Sequence, residues 1–203
     1  MKIITIVGSI LILLCILLIA GHMYYMRVLT RYTATAPIEI VHVPPSRQVV
    51  EETENQITEI THGLDNGEEQ TFTISAAQIQ AAIDLIPQLK KLKKQCDITI
   101  EDGFFIITAS VPIPIGETQR YLNGKFKVLA KMSAPGKLDA KIISGTSEEG
   151  GSLPSHLLLL ANSLIIPQIM GEPKVREYID VVKALEVKGD RLTVTLMPPK
   201  SGS

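Results

Sequence analysis

Four histidines, at positions 22, 42, 62 and 156, are the residues of this 203-residue chain best suited to hold a metal ion. A zinc site needs His, Cys or carboxylate ligands at short spacings, such as two histidines four positions apart on a helix. None of the four has a second His at that spacing or a Cys beside it. We therefore predict no metal site.

Ser152 is the side chain closest to a nucleophile motif. It lies in the sequence GGSLP, which lacks the glycine two positions downstream that a nucleophile elbow requires. No Asp or Glu is spaced to orient His156, which we interpret as a polar residue in the first turn of a helix. The sequence thus favours a non-catalytic protein with no catalytic residues.

The two cysteines and the aromatic residues add little chemistry. Cys15 lies within an apolar N-terminal stretch and Cys96 lies outside it, so the two cannot pair in a disulfide framework. The chain has four Phe, five Tyr and no Trp, and it contains no glycine-rich loop of the kind that cradles phosphate. We expect no cofactor and no nucleic-acid partner.

The N-terminal stretch from Ile3 to Met26 carries no charged side chain apart from His22, and Lys2 and Arg27 flank it. At about 1.5 Å of rise per residue this stretch spans roughly 36 Å as a helix, and the hydrocarbon core of a bilayer measures about 30 Å. The sequence therefore predicts a single transmembrane helix in the cell membrane.

Retention of this helix is favoured over cleavage as a signal peptide. A cut after Ala20 or Gly21 leaves Leu18 or Ile19 at the position that requires a small residue. Because two residues precede the stretch, we expect an uncleaved anchor with the bulk of the chain extracytoplasmic; cytosolic placement is the alternative. An aromatic and basic collar follows at the water interface: Tyr24, Tyr25, Arg27, Arg31 and Tyr32.

Charge divides the remaining chain into two parts. Residues 32–71 contain one Arg against eight acidic residues, whereas residues 72–203 contain sixteen Lys and Arg against thirteen acidic residues. An acidic segment with little to bury is typical of a linker. We predict an anchor and collar at 1–31, an acidic linker at 32–71, an α+β domain at 72–198 and a tail at 199–203.

Strands and turns dominate the predicted domain. Phe72 to Ile74 reads as a short strand, and Ser75 is suited to cap the amphipathic helix that follows. Asp102-Gly103 and Gly189-Asp190 separate apolar stretches and predict hairpins. Between these hairpins, lysines alternate with apolar residues, which predicts an antiparallel meander with one wet face.

Two helices, one amphipathic and one apolar, are predicted to pack on this sheet. The second lies between Gly150 and Gly171, where no charge occurs, and it is apolar around most of its circumference. Lysines at the end of the first helix predict contact with anionic lipid head groups: Lys90, Lys91, Lys93 and Lys94. The candidate ligand-binding residues of both helices are Ile83, Ile86, Leu89, Leu157, Leu160, Leu164 and Ile165.

The order of these parts resembles the YpmS-type family of single-pass membrane proteins, and through it the tubular lipid-binding superfamily. The residues that carry the resemblance, within 72–197, are Phe72, Ile74, Ile79, Asp102, Gly103, Gly145, Gly151, Leu153 and Pro154. The resemblance implies an antiparallel sheet curled around long helices, sheltering acyl chains. Glu148 to Gly151 departs from the family by lengthening the Gly-to-Leu-Pro spacing.

The leading hypothesis is a membrane-anchored extracytoplasmic domain that binds a lipid or another long apolar ligand. The alternative is a structural partner in a cell-envelope complex, with the same residues forming a closed core and an exposed sheet edge or apolar helix binding another protein. A dry core and an oily groove require identical residue types, so both hypotheses stay open at the level of sequence.

Overall fold

A computed structural model describes residues 2–41, 43–86, 96–115, 118–171 and 173–198, with the side chains of 2–14, 114–115, 118, 168–169 and 174 outside the description. In chain order the elements are α1 (Lys2–Tyr32), α2 (Arg47–Asp65), β1 (Gln70–Ser75), α3 (Ala76–Leu85), β2 (Cys96–Glu101), β3 (Phe104–Ile115), β4 (Thr118–Ala134), β5 (Lys137–Ser147), β6 (Gly151–Ser152), α4 (Ser155–Gly171), α5 (Pro173–Asp180), β7 (Val182–Lys188) and β8 (Arg191–Leu196).

The fold is α+β, built on an antiparallel sheet that curls into a half-barrel. Five strands follow one another in the order β2-β3-β4-β5-β6. The β2–β3 hairpin turns at Asp102 and Gly103, whose φ angles of 52° and 80° are both in the left-handed region. Two positive φ angles suit the right-handed twist of a two-residue hairpin, so the predicted turn is confirmed.

Register shifts in the long strand β4 accompany the curl of this sheet. They occur between Lys127 and Val128 and between Met132 and Ala134. Such bulges bend a strand and increase its local twist. The predicted alternation is confirmed here, because Phe126 and Val128 are buried while Lys125 is exposed.

A second sheet joins the two ends of the domain, in the order β1-β8-β7. Leu192 and Val194 of β8 form its core with Ile100 of β2, and Phe105 of β3 packs against both this core and the main one. The N-cap of α3 is confirmed at Ser75, where a reciprocal capping box with Gln78 is formed. The main core lies between the five-stranded sheet, α4 and the last turns of α1.

Helix α2 occupies much of the segment for which the sequence predicts a linker. Ser46 accepts the capping hydrogen bond from the Val49 amide, and the ion pair between Arg47 and Glu51 spans 2.8 Å. The helix packs on α3 and β1 and buries Thr53. The interpretation as a linker overlooked this amphipathic helix because it rested on the excess of acidic residues in the segment, and the acidic residues of α2 lie on its exposed face.

Among the described residues, no helix is both long enough and apolar enough to cross a membrane. Residues 3–14 of the predicted transmembrane stretch lie outside the described side chains. The last two turns of α1 belong to the folded domain, because Leu29 is 1% exposed and Met26, Val28 and Tyr32 pack against the main core.

Candidate functional site

The end of α1 is fixed to the sheet by a set of hydrogen bonds that we call the clasp. The guanidinium of Arg120, on β4, donates from Nε to the hydroxyl of Thr33 over 2.7 Å and from Nη2 to the Thr33 carbonyl. Ala34 then exchanges two backbone hydrogen bonds with Tyr121, of 2.8 and 2.9 Å. Thr33 is 2% exposed, so these bonds are formed away from water and hold α1 in one orientation.

A second layer of the clasp comes from the side chains of Asn123 and Ser147. Asn123 donates to the carbonyl of Ala36 over 3.0 Å and accepts from Ser110 over 2.6 Å. The Ser147 hydroxyl lies 2.9 Å from the Tyr32 carbonyl, to which it donates. Both side chains are buried, and each donates a hydrogen bond to a backbone carbonyl at or just after the end of α1.

The turn after β5 requires glycine where it meets α1. A Cβ added to Gly150 would lie 2.3 Å from the ring of Tyr32. That distance is far inside van der Waals contact, so a larger residue would displace either the ring or the turn. The turn after β5 therefore packs closely against the end of α1.

Helix α4 is positioned by one polar and two apolar contacts. Leu157 and Ala161 are buried in the main core. Asn162 accepts from the amide of Ile142 and donates to the carbonyl of the same residue, both over 2.8 Å. Its amide group therefore takes the place of a neighbouring strand at this position on β5, which fixes α4 along the edge of the sheet.

An open apolar cleft of about 570 Å³ lies between α1 and α4. We call it the anchor cleft, and its lining residues are Tyr24, Tyr25, Val28, His156, Leu157, Leu159, Leu160 and Ser163. Leu159 is 71% exposed and Tyr24 is 69% exposed, so the cleft is apolar and open to its surroundings. The polar groups of its lining are His156, Ser163 and the hydroxyls of the two tyrosines.

The predicted ligand-binding residues fall into separate places. Leu157 and Leu160 line the anchor cleft, Ile165 packs against the main core, and Leu164 is 39% exposed. Ile83 and Ile86 lie at the end of α3, which packs on α2, β1 and β2. The structure therefore brings two of the predicted residues together in the anchor cleft and does not bring those of α3 to it.

Leu89 and the four lysines of the predicted membrane-surface cluster, Lys90, Lys91, Lys93 and Lys94, lie outside the described residues. Burial raises the pKa of the Cys96 thiol to about 11, and the negative charge of Asp97 makes a smaller contribution in the same direction. A thiol that is protonated at neutral pH is a poor nucleophile. Within the described residues, no three His, Cys, Asp or Glu side chains form a group that would hold a metal ion.

The sequence did not lead us to predict the clasp, or that two tyrosines of α1 line the anchor cleft. Tyr24 and Tyr25 were interpreted solely as residues of a membrane collar. Asn123 falls on the same alternating positions of β4 as the exposed Lys125, so the residue pattern gave no sign that its side chain is buried. Comparisons with protein-family models, curated proteins and solved structures found no match for this chain.

Proposed function

We propose that this protein is a membrane-anchored, non-catalytic domain that binds the acyl chain of a lipid in the anchor cleft. The observation that carries the proposal is that one wall of the cleft belongs to α1, the helix that holds the predicted transmembrane stretch, and that Tyr24 and Tyr25 at the end of this stretch line the cleft. A lipid held there would lie next to the bilayer from which it comes.

Exposed apolar side chains on α1 support membrane attachment. Ile16, Leu17, Leu18 and Ile19 are each more than half exposed, and Met23 continues this surface toward the cleft. Apolar surface of this extent is costly in water, at roughly 25 cal/mol per Å². A bilayer removes that cost, and Tyr24 and Tyr25 then lie where aromatic rings favour the membrane–water interface.

The clasp supports a fixed distance between the domain and the membrane. Because Arg120 and Asn123 bond to the backbone at Thr33 and Ala36, the sheet is coupled to α1 without a flexible spacer. We place the domain on the extracytoplasmic side. A C-terminal alkaline phosphatase fusion is expected to be active, and an inactive phosphatase together with a fluorescent green fluorescent protein fusion would contradict this placement.

We also propose kinship with YpmS-type and tubular lipid-binding proteins, as the sequence resemblance implies. A half-barrel sheet packed on a long apolar helix offers the kind of shelter that this resemblance implies. The shelter proposed here differs in one respect, because α1 provides a wall in addition to the sheet and α4.

Native mass spectrometry of the full chain tests lipid binding. The chain would be purified in detergent as the parent and as Ser163→Phe, which places a ring in the anchor cleft. Ser155→Phe is the matched control, since Ser155 is an exposed serine of the same helix that does not line the cleft. We expect bound lipid in the parent and in Ser155→Phe, and loss of most of it in Ser163→Phe. Equal lipid in all three proteins, or none in the parent, would overturn the proposal.

A further inference from the structure

The edge of β5 that faces away from β4 is occupied along only part of its length. Strand β6 pairs with it at Thr146 and Ser147, and the Leu153 amide donates to the Gly145 carbonyl over 2.9 Å. Asn162 of α4 occupies the edge at Ile142. The remaining part of this edge, residues 138–141, we call the open edge.

Hydrogen-bonding groups of the open edge point away from the sheet. Asn162 reaches both the amide and the carbonyl of Ile142, so the backbone groups of Ile142 are directed away from β4. Backbone direction alternates along an antiparallel strand with a period of two. Ala140 and Leu138 therefore direct their amides and carbonyls the same way, since the register with β4 is unbroken from Ile142 to Leu138.

Among the described residues, none forms a hydrogen bond with the outward amides and carbonyls of Leu138 and Ala140. A cleft of about 580 Å³ lies beside them, and we call it the edge cleft. Residues from β4, from β5 and from α4 line it: Leu129, Lys131, Leu138, Asp139, Ala140, Lys141, Leu159, Asn162, Ile166 and Pro167. The edge cleft thus combines a row of backbone donors and acceptors with an apolar wall from α4.

We propose that the edge cleft binds an extended peptide segment of a partner protein, which adds to β5 as a further strand. The backbone of the segment would pair with Leu138 and Ala140. Its side chains on one face would contact Leu159 and Ile166, because successive side chains of a strand alternate between faces. An acyl chain offers no partner for the backbone groups, so it would leave them unpaired in a covered site.

Charge selects among extended peptides. Lys131 and Lys141 line the edge cleft with a single carboxylate, that of Asp139. Lysine on an edge strand is also a device that deters pairing with like-charged strands. The same lysines would favour a segment that carries Asp or Glu, and we infer that the partner segment alternates apolar and acidic residues.

The test measures binding of synthetic peptides to the full chain in phosphatidylcholine nanodiscs by fluorescence anisotropy. The probe is an eight-residue peptide of alternating valine and glutamate with a fluorescent label. One comparison peptide has N-methyl groups on the amides of one edge, and a second comparison peptide replaces glutamate by lysine. The protein variants are Ala140→Pro, which removes an outward amide without removing a ladder bond, and Lys141→Glu.

We expect the valine–glutamate peptide to bind the parent, and about tenfold weaker binding to Ala140→Pro, as loss of one covered hydrogen bond predicts. N-methylation is expected to weaken binding similarly, and Lys141→Glu is expected to shift preference toward the lysine peptide. If Ala140→Pro fails to fold, the N-methylated peptide and Lys141→Glu decide the matter. Absence of binding at millimolar peptide would overturn the proposal, as would binding that is insensitive to N-methylation. In NMR spectra, backbone resonances of Leu138 and Ala140 that respond to lipid and not to peptide would also overturn it.

Discussion

The two flanks of α4 present different surfaces to the outside. On the anchor flank, side chains of α1 and α4 face each other, and the lining consists mostly of leucine, valine and tyrosine. On the edge flank, α4 faces a strand whose backbone groups point into the cleft beside Lys131 and Lys141. Leu159 lines both flanks and forms the ridge between them.

In our two proposals, this difference lets one apolar helix serve two kinds of ligand. A cleft lined by side chains alone sets few directional requirements, so it suits a flexible hydrocarbon chain. A cleft with a row of backbone donors and acceptors requires a ligand that pairs with them, and an extended peptide meets that requirement. Helix α4 contributes aliphatic side chains to both flanks, so in our two proposals the opposing element decides the specificity.

The largest effect is expected from Asn162→Leu, which removes the contact that holds α4 between the flanks. The substitution would leave the amide and carbonyl of Ile142 buried and unpaired, at about 1 to 3 kcal/mol each. We expect the free energy of unfolding in urea to fall by about 2 to 4 kcal/mol. Asn55→Leu on the exposed face of α2 is the control, and an unchanged urea midpoint for Asn162→Leu would show that α4 is held by apolar packing alone.

A smaller effect, confined to the anchor flank, is expected from Arg120→Met. The substitution keeps an unbranched apolar stem but removes the hydrogen bonds to Thr33, while Leu29 stays packed in the main core. Hydrogen exchange should accelerate at residues 29–36 and stay unchanged in β5. Lys125→Met on the same strand is the control, and equal acceleration in β5 would mean that the clasp supports the whole domain rather than one flank.

The parts of the fold that were predicted correctly are those with a strong local signal in the sequence. The turn at Asp102-Gly103 and the cap at Ser75 were predicted correctly because few other residues satisfy those backbone conformations. The curl of the sheet came from the family resemblance, since residue alternation is the same in flat and curved sheets. The docking of α1 was not predicted, because Leu29 has the same residue type whether it faces lipid or a protein core.

The candidate site was less predictable than the fold. Leu157 and Leu160 were identified from their apolar helix, but pairing them with Ile83 assumed that both helices share one groove. Which elements face each other depends on long-range packing, here on the bonds from Arg120 to Thr33 and from Asn162 to Ile142. Such pairs are 20 to 87 residues apart in the chain, and no local pattern marks them.

The smallest effect on stability is expected from ionisation of the Cys96 thiol. Cys96 lines neither flank, so its reactivity reports whether the domain as a whole is folded. Its pKa is raised by burial to about 11 from 9.0, so the folded thiol holds its proton to a higher pH than the unfolded thiol. Stability is therefore full below about pH 9 and falls as pH rises through about 11. In a Cys15→Ser background, iodoacetamide should label Cys96 slowly at pH 8 in the parent and in Arg120→Met. Rapid labelling of the folded parent at pH 8 would contradict the shift.

Photo-crosslinking with a lipid that carries a diazirine in its acyl chain tests the central claim most directly. The full chain in nanodiscs containing this lipid would be irradiated, digested and mapped by mass spectrometry. We predict adducts at the residues that line the anchor cleft, above all Tyr24, Tyr25, Leu159 and Leu160, in addition to adducts on the exposed apolar turns of α1. Ser163→Phe should remove the adducts on α4 and keep those on residues 16–19. Adducts restricted to residues 16–19 in the parent protein would contradict the account, because α1 would then be an anchor and the anchor cleft would hold no lipid.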